Sequence, residues 1–95
     1  MPAFRLRPEP LDAEAESLPK FKWADDSVGT RHQLGGEPES MPLEDRPRCK
    51  DCNKTMTFYG QLDSVNDEWC IADVGVICVF FCFECVTVKA EIQSA

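Results

Sequence analysis

The sequence predicts a mainly β domain: an antiparallel sheet with ribbon-like hairpins behind an irregular N-terminal segment, a small α+β arrangement being the nearest variant. Three observations carry this. Apolar residues recur with a period of two over residues 56–62, 74–83 and 86–92, as side chains do when they alternate across a pleated strand. Two Cys-x-x-Cys turns, Cys49-Lys50-Asp51-Cys52 and Cys82-Phe83-Glu84-Cys85, punctuate the same region. Finally, all seven prolines lie at or before Pro47 and all six cysteines at or after Cys49, so the chain has two unlike halves.

In chain order, the run LDAEAESL at 11–18 admits two helical turns, and Phe21, Trp23 and Val28 are the sizeable apolar anchors before the glycines. The remainder of 1–30 is expected to be irregular. His32-Gln33-Leu34-Gly35-Gly36-Glu37-Pro38 has the Gly-Gly and Pro punctuation of a tight turn, and an acidic, proline-bearing loop follows to Pro47. The β domain is placed at 31–95, forming one compact domain with the segment before it.

Met56, Phe58, Gly60 and Leu62 alternate with Thr57, Tyr59 and Gln61, which predicts a strand with one face covered. Residues 63–68 read as a polar connection. Over 74–83 both alternating sets are apolar, predicting a central strand buried on both faces. Val86, Val88, Ala90 and Ile92 then alternate with Thr87, Lys89 and Glu91, a strand with one wet face nearer the edge.

A 95-residue chain has a thin margin of stability and often needs a staple. The opening run MPAFRLRPEP lacks the apolar stretch of a secretory signal, so a reducing cytoplasm is expected, where cysteines ligate metal more often than they pair. The most apolar stretch, 70–83, contains Asp73 and falls short of the ~20 residues that span a bilayer, so no membrane is expected. Seventeen acidic residues against ten basic ones give a formal charge of −7, the wrong sign for a phosphate-binding surface and the right one for a basic protein partner. Lys50 and Lys54 are the cations expected nearest the cysteine turns.

A Cys-x-x-Cys turn aims two thiolates at one point, and zinc takes four such sulfurs at about 2.3 Å. Cys49, Cys52, Cys82 and Cys85 are therefore the predicted ligands of one structural Zn2+. The 29 residues from 53 to 81 exceed the spacing of a minimal zinc ribbon and describe an enlarged one. Asn53, after the first pair, suits a knuckle because asparagine tolerates the left-handed conformation, whereas Val86 after the second is less typical. Cys78 lies four residues before Cys82 on one strand, about 13 Å away, and is assigned to the core. Cys70 is assigned there too, with a reserve place as a ligand. His32, the single histidine, is read as structural, against minor readings as a ligand or as a base beside a spare thiol.

The ordered set His32-Gln33-Leu34-Gly35-Gly36-Glu37-Pro38, Pro47-Arg48-Cys49-Lys50-Asp51-Cys52, Met56-Thr57-Phe58-Tyr59-Gly60-Gln61-Leu62-Asp63 and the segment from Asp73 to Cys85 resembles the short, cysteine-containing members of the bacterial YwqG-like proteins. More distantly it is similar to the programmed-cell-death-2 family of chaperone-like adaptors. The resemblance covers about residues 31–86 and implies a β-rich fold and a zinc role for the four cysteines.

These readings favour a non-enzymatic zinc protein whose metal supports a protein–protein interaction module of adaptor, chaperone-like or immunity type. The acidic loop at 37–45 or the sheet surface would meet the partner. The alternative is a thiol-based redox or zinc-release switch drawing on Cys70, Cys78 or His32; nucleic-acid binding ranks last on charge.

Overall fold

A computed structural model describes residues 1–38 and 41–93, and it is mainly β. Five antiparallel strands form one sheet in the order β1-β2-β3-β4-β5: β1 (Phe4–Arg5), β2 (Gln33–Leu34), β3 (Thr57–Asp63), β4 (Val76–Cys82) and β5 (Thr87–Gln93). The three seven-residue strands make its body, and two-residue β1 and β2 extend it past β3. No helix among the described residues is long and apolar enough to cross a membrane.

Helix α1 (Ala13–Glu16) makes one turn rather than the expected two. Asp12 caps it by accepting the Ala15 N–H at 2.8 Å, but none of its residues is buried, and Leu18 precedes Pro19, which disfavours helical backbone. The Gly-Gly turn has a packing reason. Gly35 and Gly36 both take left-handed φ values, 69° and 71°, and a Cβ on Gly35 would stand 2.0 Å from the Pro2 carbonyl oxygen. The Gly36 N–H donates to Met1 O at 3.0 Å and the Gly35 N–H to Tyr59 O at 2.7 Å, so this turn joins the chain's first residues to β3. Of the acidic loop at 37–45, Glu39 and Ser40 lie outside the described residues; Leu43–Asp45 form a 3-10 turn.

Strand β3 departs from simple alternation. Phe58 pairs with Phe80 but Gly60 pairs with Val79, leaving Tyr59 as an extra residue in a β-bulge. The bulge shifts the phase. Met56 and Phe58 are buried before it, Gln61 and Asp63 after it, and Leu62, expected with the covered set, is 52% exposed.

Strand β4 is central, as expected, but only one of its faces is fully buried. Val76, Cys78, Phe80 and Cys82 form the core with Cys49, Met56 and Phe58, and Met41, Cys52 and Cys85 pack against it. Ile77, Val79 and Phe81 on the opposite face are half-buried, because the cysteine-bearing layer lies over the Phe80 side. Strand β5 is the edge, as its charges suggested. Its apolar set, however, is the exposed one: Val88 at 67% and Ile92 at 63%, while Thr87, Glu91 and Gln93 are half-buried on the core side.

The end of β3 is fastened by a charged cluster. Asp63 Oδ2 accepts from the backbone N–H of Gly29 and of Arg31, each at 2.8 Å, and from Arg31 Nε at 2.9 Å. Its Oδ1 accepts from the same guanidinium at 2.6 Å and from the Ser64 N–H at 2.7 Å. These bonds tie the segment before β2 to the sheet.

Candidate metal centre

Each Cys-x-x-Cys occupies the tip of a hairpin. In the first, Arg48 and Thr55 form an isolated antiparallel bridge and the Cys49 N–H donates to Lys54 O at 2.9 Å. In the second, the Cys82–Thr87 rung closes the turn between β4 and β5. The two turns are conformational twins. The Asn53 N–H donates to Cys49 O at 2.8 Å and the Val86 N–H to Cys82 O at 2.9 Å, and Asn53 and Val86 both take left-handed backbone, φ 59° and 56°. Asparagine suits that conformation; a β-branched valine there is an outlier.

The twin turns bring one sulfur from each of Cys49, Cys52, Cys82 and Cys85 to within 4.8 Å of one another. Cys52 Sγ and Cys82 Sγ are 3.8 Å apart. A tetrahedron with metal–sulfur arms of about 2.3 Å has edges of about 3.8 Å, so the spacing fits a four-sulfur ion. Cys49 and Cys82 are buried and the other two half-buried.

The surroundings favour thiolate at Cys49. The Thr87 hydroxyl, 3.3 Å from Cys49 Sγ, together with the backbone amides of Cys52 and Asp51, draws the Cys49 thiol down to about 6. Cys85, hydrogen-bonded to the Cys49 sulfur and partly desolvated, is pushed up to about 12. Opposite shifts follow when thiols share hydrogen bonds: a thiol that donates to the Cys49 sulfur favours thiolate there and is itself held protonated, with repulsion between sulfurs a smaller cause that a central cation would offset. Lys54 Nζ reaches both Glu84 oxygens, at 2.9 and 3.1 Å, bridging the two tips through exposed side chains. A hollow of about 600 Å³ beside Cys49 is lined by Lys50 and also by Arg48 and Lys89, two cations beyond those expected from sequence.

The remaining candidates lie elsewhere. Cys78, 1% exposed, is in the core; Cys70, expected there too, is only half-buried and lies outside it, its Sγ facing its own loop at Ala72 O, 3.6 Å away, and neither joins the cluster. His32 Nδ1 accepts the Asp63 N–H at 3.0 Å, an interaction of the β2–β3 edge. Thr87 escaped the sequence reading, its one signal being its place two residues after the last cysteine. Searches against family models, curated proteins and solved structures give no match to this chain.

Proposed function

We propose that Cys49, Cys52, Cys82 and Cys85 hold one structural Zn2+ and that the domain is a non-enzymatic protein–protein interaction module of the reducing cytoplasm. The observation that carries this reading is the pair of matching knuckles whose four sulfurs gather within 4.8 Å of one another, with one pair at the 3.8 Å edge of a tetrahedral site. All-thiolate donor sets suit zinc, and when protein sulfurs fill all four positions no open one remains for a substrate or activated water. The ion neutralises charge and links the 41–56 layer to β4, which is a building role. The resemblance to YwqG-like proteins and, distantly, to the programmed-cell-death-2 adaptors agrees with an adaptor, chaperone-like or immunity-type role, and the charge of −7 favours steering toward basic surfaces.

Metal analysis of the protein purified under reducing conditions tests the staple directly. One zinc per chain, with four thiols protected from alkylation until a chelator is added, is expected; a folded chain with no metal and all thiols reactive would refute it. For the module, a low-salt pull-down is expected to retain a protein partner, and repeated recovery of nothing would count against the reading.

A further inference from the structure

The exposed face of the sheet is built like an interior. The register sets Leu62, Ile77 and Ile92 side by side on one rung and Phe81 beside Val88 on another. At the hairpin end Phe81 stacks edge-on to Phe83, ring centroids 4.8 Å apart, and Tyr59 lies 6.4 Å from each. Tyr59, Phe81, Phe83, Val79 and Val88 enclose a shallow hollow of about 380 Å³. The charged residues of β5, Lys89 and Glu91, are on rungs with Phe80 and Cys78 and so belong to the other face. An apolar face with neither a carboxylate nor a cation on its rungs has nothing with which to select a charged partner.

Its area is that of a stable interface. Tyr59 (41%), Leu62 (52%), Phe83 (59%), Val88 (67%) and Ile92 (63%) are all substantially exposed. With the half-buried β4 side chains the face offers on the order of 700 Å² per copy, against about 800 Å² per partner in a standard complex and a few hundred Å² for ordinary apolar patches on monomers. Its shape is also self-complementary. The bulky aromatics occupy one end and the aliphatic Leu62–Ile77–Ile92 rung the other, so a two-fold axis lying between two facing sheets, parallel to them and across the strands, would set each aromatic end against the partner's aliphatic end. Two stacked sheets about 10 Å apart, with strands within about 30° of one another, would bury both faces.

We propose, resting on the interaction-module reading, that this face docks a second copy of the chain, giving a face-to-face β-sandwich dimer. The metal layers then lie on the two outer sides. Because the interface is uncharged while each copy carries −7, salt screens the repulsion between copies and tightens the dimer, opposite to its effect on a basic partner.

Sedimentation equilibrium of the full, zinc-loaded chain across the micromolar range, at low and high salt, tests this. A dimer that strengthens with salt is expected. Val88→Glu and Ile92→Glu, each tested separately, should raise its Kd by about 100-fold or more with zinc content unchanged, while Leu11→Glu, 95% exposed and outside the sheet, should leave it unaltered. Ile92 sits at the opposite end of β5 from the cysteines, so it keeps the test decisive if Val88→Glu does not fold. A zinc-loaded parent that stays monomeric, a dimer that salt dissolves, or one that persists in both variants would overturn the proposal. The monomeric result would leave the zinc module standing; a folded, metal-free chain would fell that reading instead.

Discussion

Replacing Asp63 with asparagine removes one formal charge and turns one of the two hydrogen-bond-accepting atoms into a donor. In the parent, Oδ1 and Oδ2 together accept five hydrogen bonds, three of them from Arg31, and the carboxylate is fully shielded from solvent. Asparagine keeps one accepting oxygen; its NH2 would face N–H groups that also donate, and Arg31 would lose the charge of the Asp63 carboxylate in a site where its side chain is only 19% exposed. Breaking a buried pair from one side costs about 3–5 kcal/mol, a large part of the about 5–15 kcal/mol a small domain has.

The same site sets a pH window. Burial alone would raise the Asp63 carboxyl, but the bonds from Arg31, Gly29 and Ser64 outweigh it and hold it below the usual carboxylate range. A depressed carboxyl stabilises the fold above its unfolded value of about 4 and loses that contribution as pH falls further. Urea unfolding followed by circular dichroism, on zinc-loaded parent and Asp63→Asn from pH 7 downward, measures both effects. Thiolate protonation destabilises both proteins in acid, so the difference between them isolates Asp63: it should be about 3–5 kcal/mol at pH 7 and shrink below about pH 4. A gap under about 1 kcal/mol at pH 7, or one unchanged in acid, would refute the reasoning.

Other perturbations address the metal and its turns. Chelation, or Cys82→Ser, is expected to abolish the cooperative thermal transition, since structural zinc contributes about 10–16 kcal/mol of apparent binding energy; a sharp transition in the metal-free protein would contradict this. Val86→Gly should raise stability by about 0.5–1 kcal/mol, relief of a strained left-handed valine exceeding the entropy glycine adds to the unfolded chain, and thermal melts would show it. Thr87→Val should weaken zinc binding by about 10-fold by removing the hydroxyl beside Cys49, readable by competition with a chromogenic chelator.

What was legible in the sequence was local. Period-two runs predict strands because alternation is a property of each strand's own backbone, and the paired Cys-x-x-Cys turns announce their clustering by spacing alone. Burial is different. It depends on which layer arrives over which face, and the turn-bearing layer came down on the Cys78–Phe80 side, leaving Val88 and Ile92 exposed despite their apolar pattern. The partnership of Arg31 with Asp63 spans 32 residues and has no spacing signature. Nor does the bulge at Tyr59, because an extra residue becomes visible only when β3 is set against β4.

That extra residue lets one strand serve two masters. Its first half sends Phe58, behind Met56 just ahead of the strand, beneath the cysteine layer, and its second half sends Asp63 to the arginine, although an uninterrupted alternation would have kept Phe58 and Leu62 on the same side. Flattening the bulge with Tyr59 kept in the ladder would impose that alternation and force a choice of frame. Either the aromatic keeps its place and the carboxylate swings into the apolar face, or the ion pair survives and the residues beneath the cysteines are turned outward. One inserted position thus acts as a phase shifter, allowing a seven-residue strand to satisfy two incompatible patterns in a single sheet.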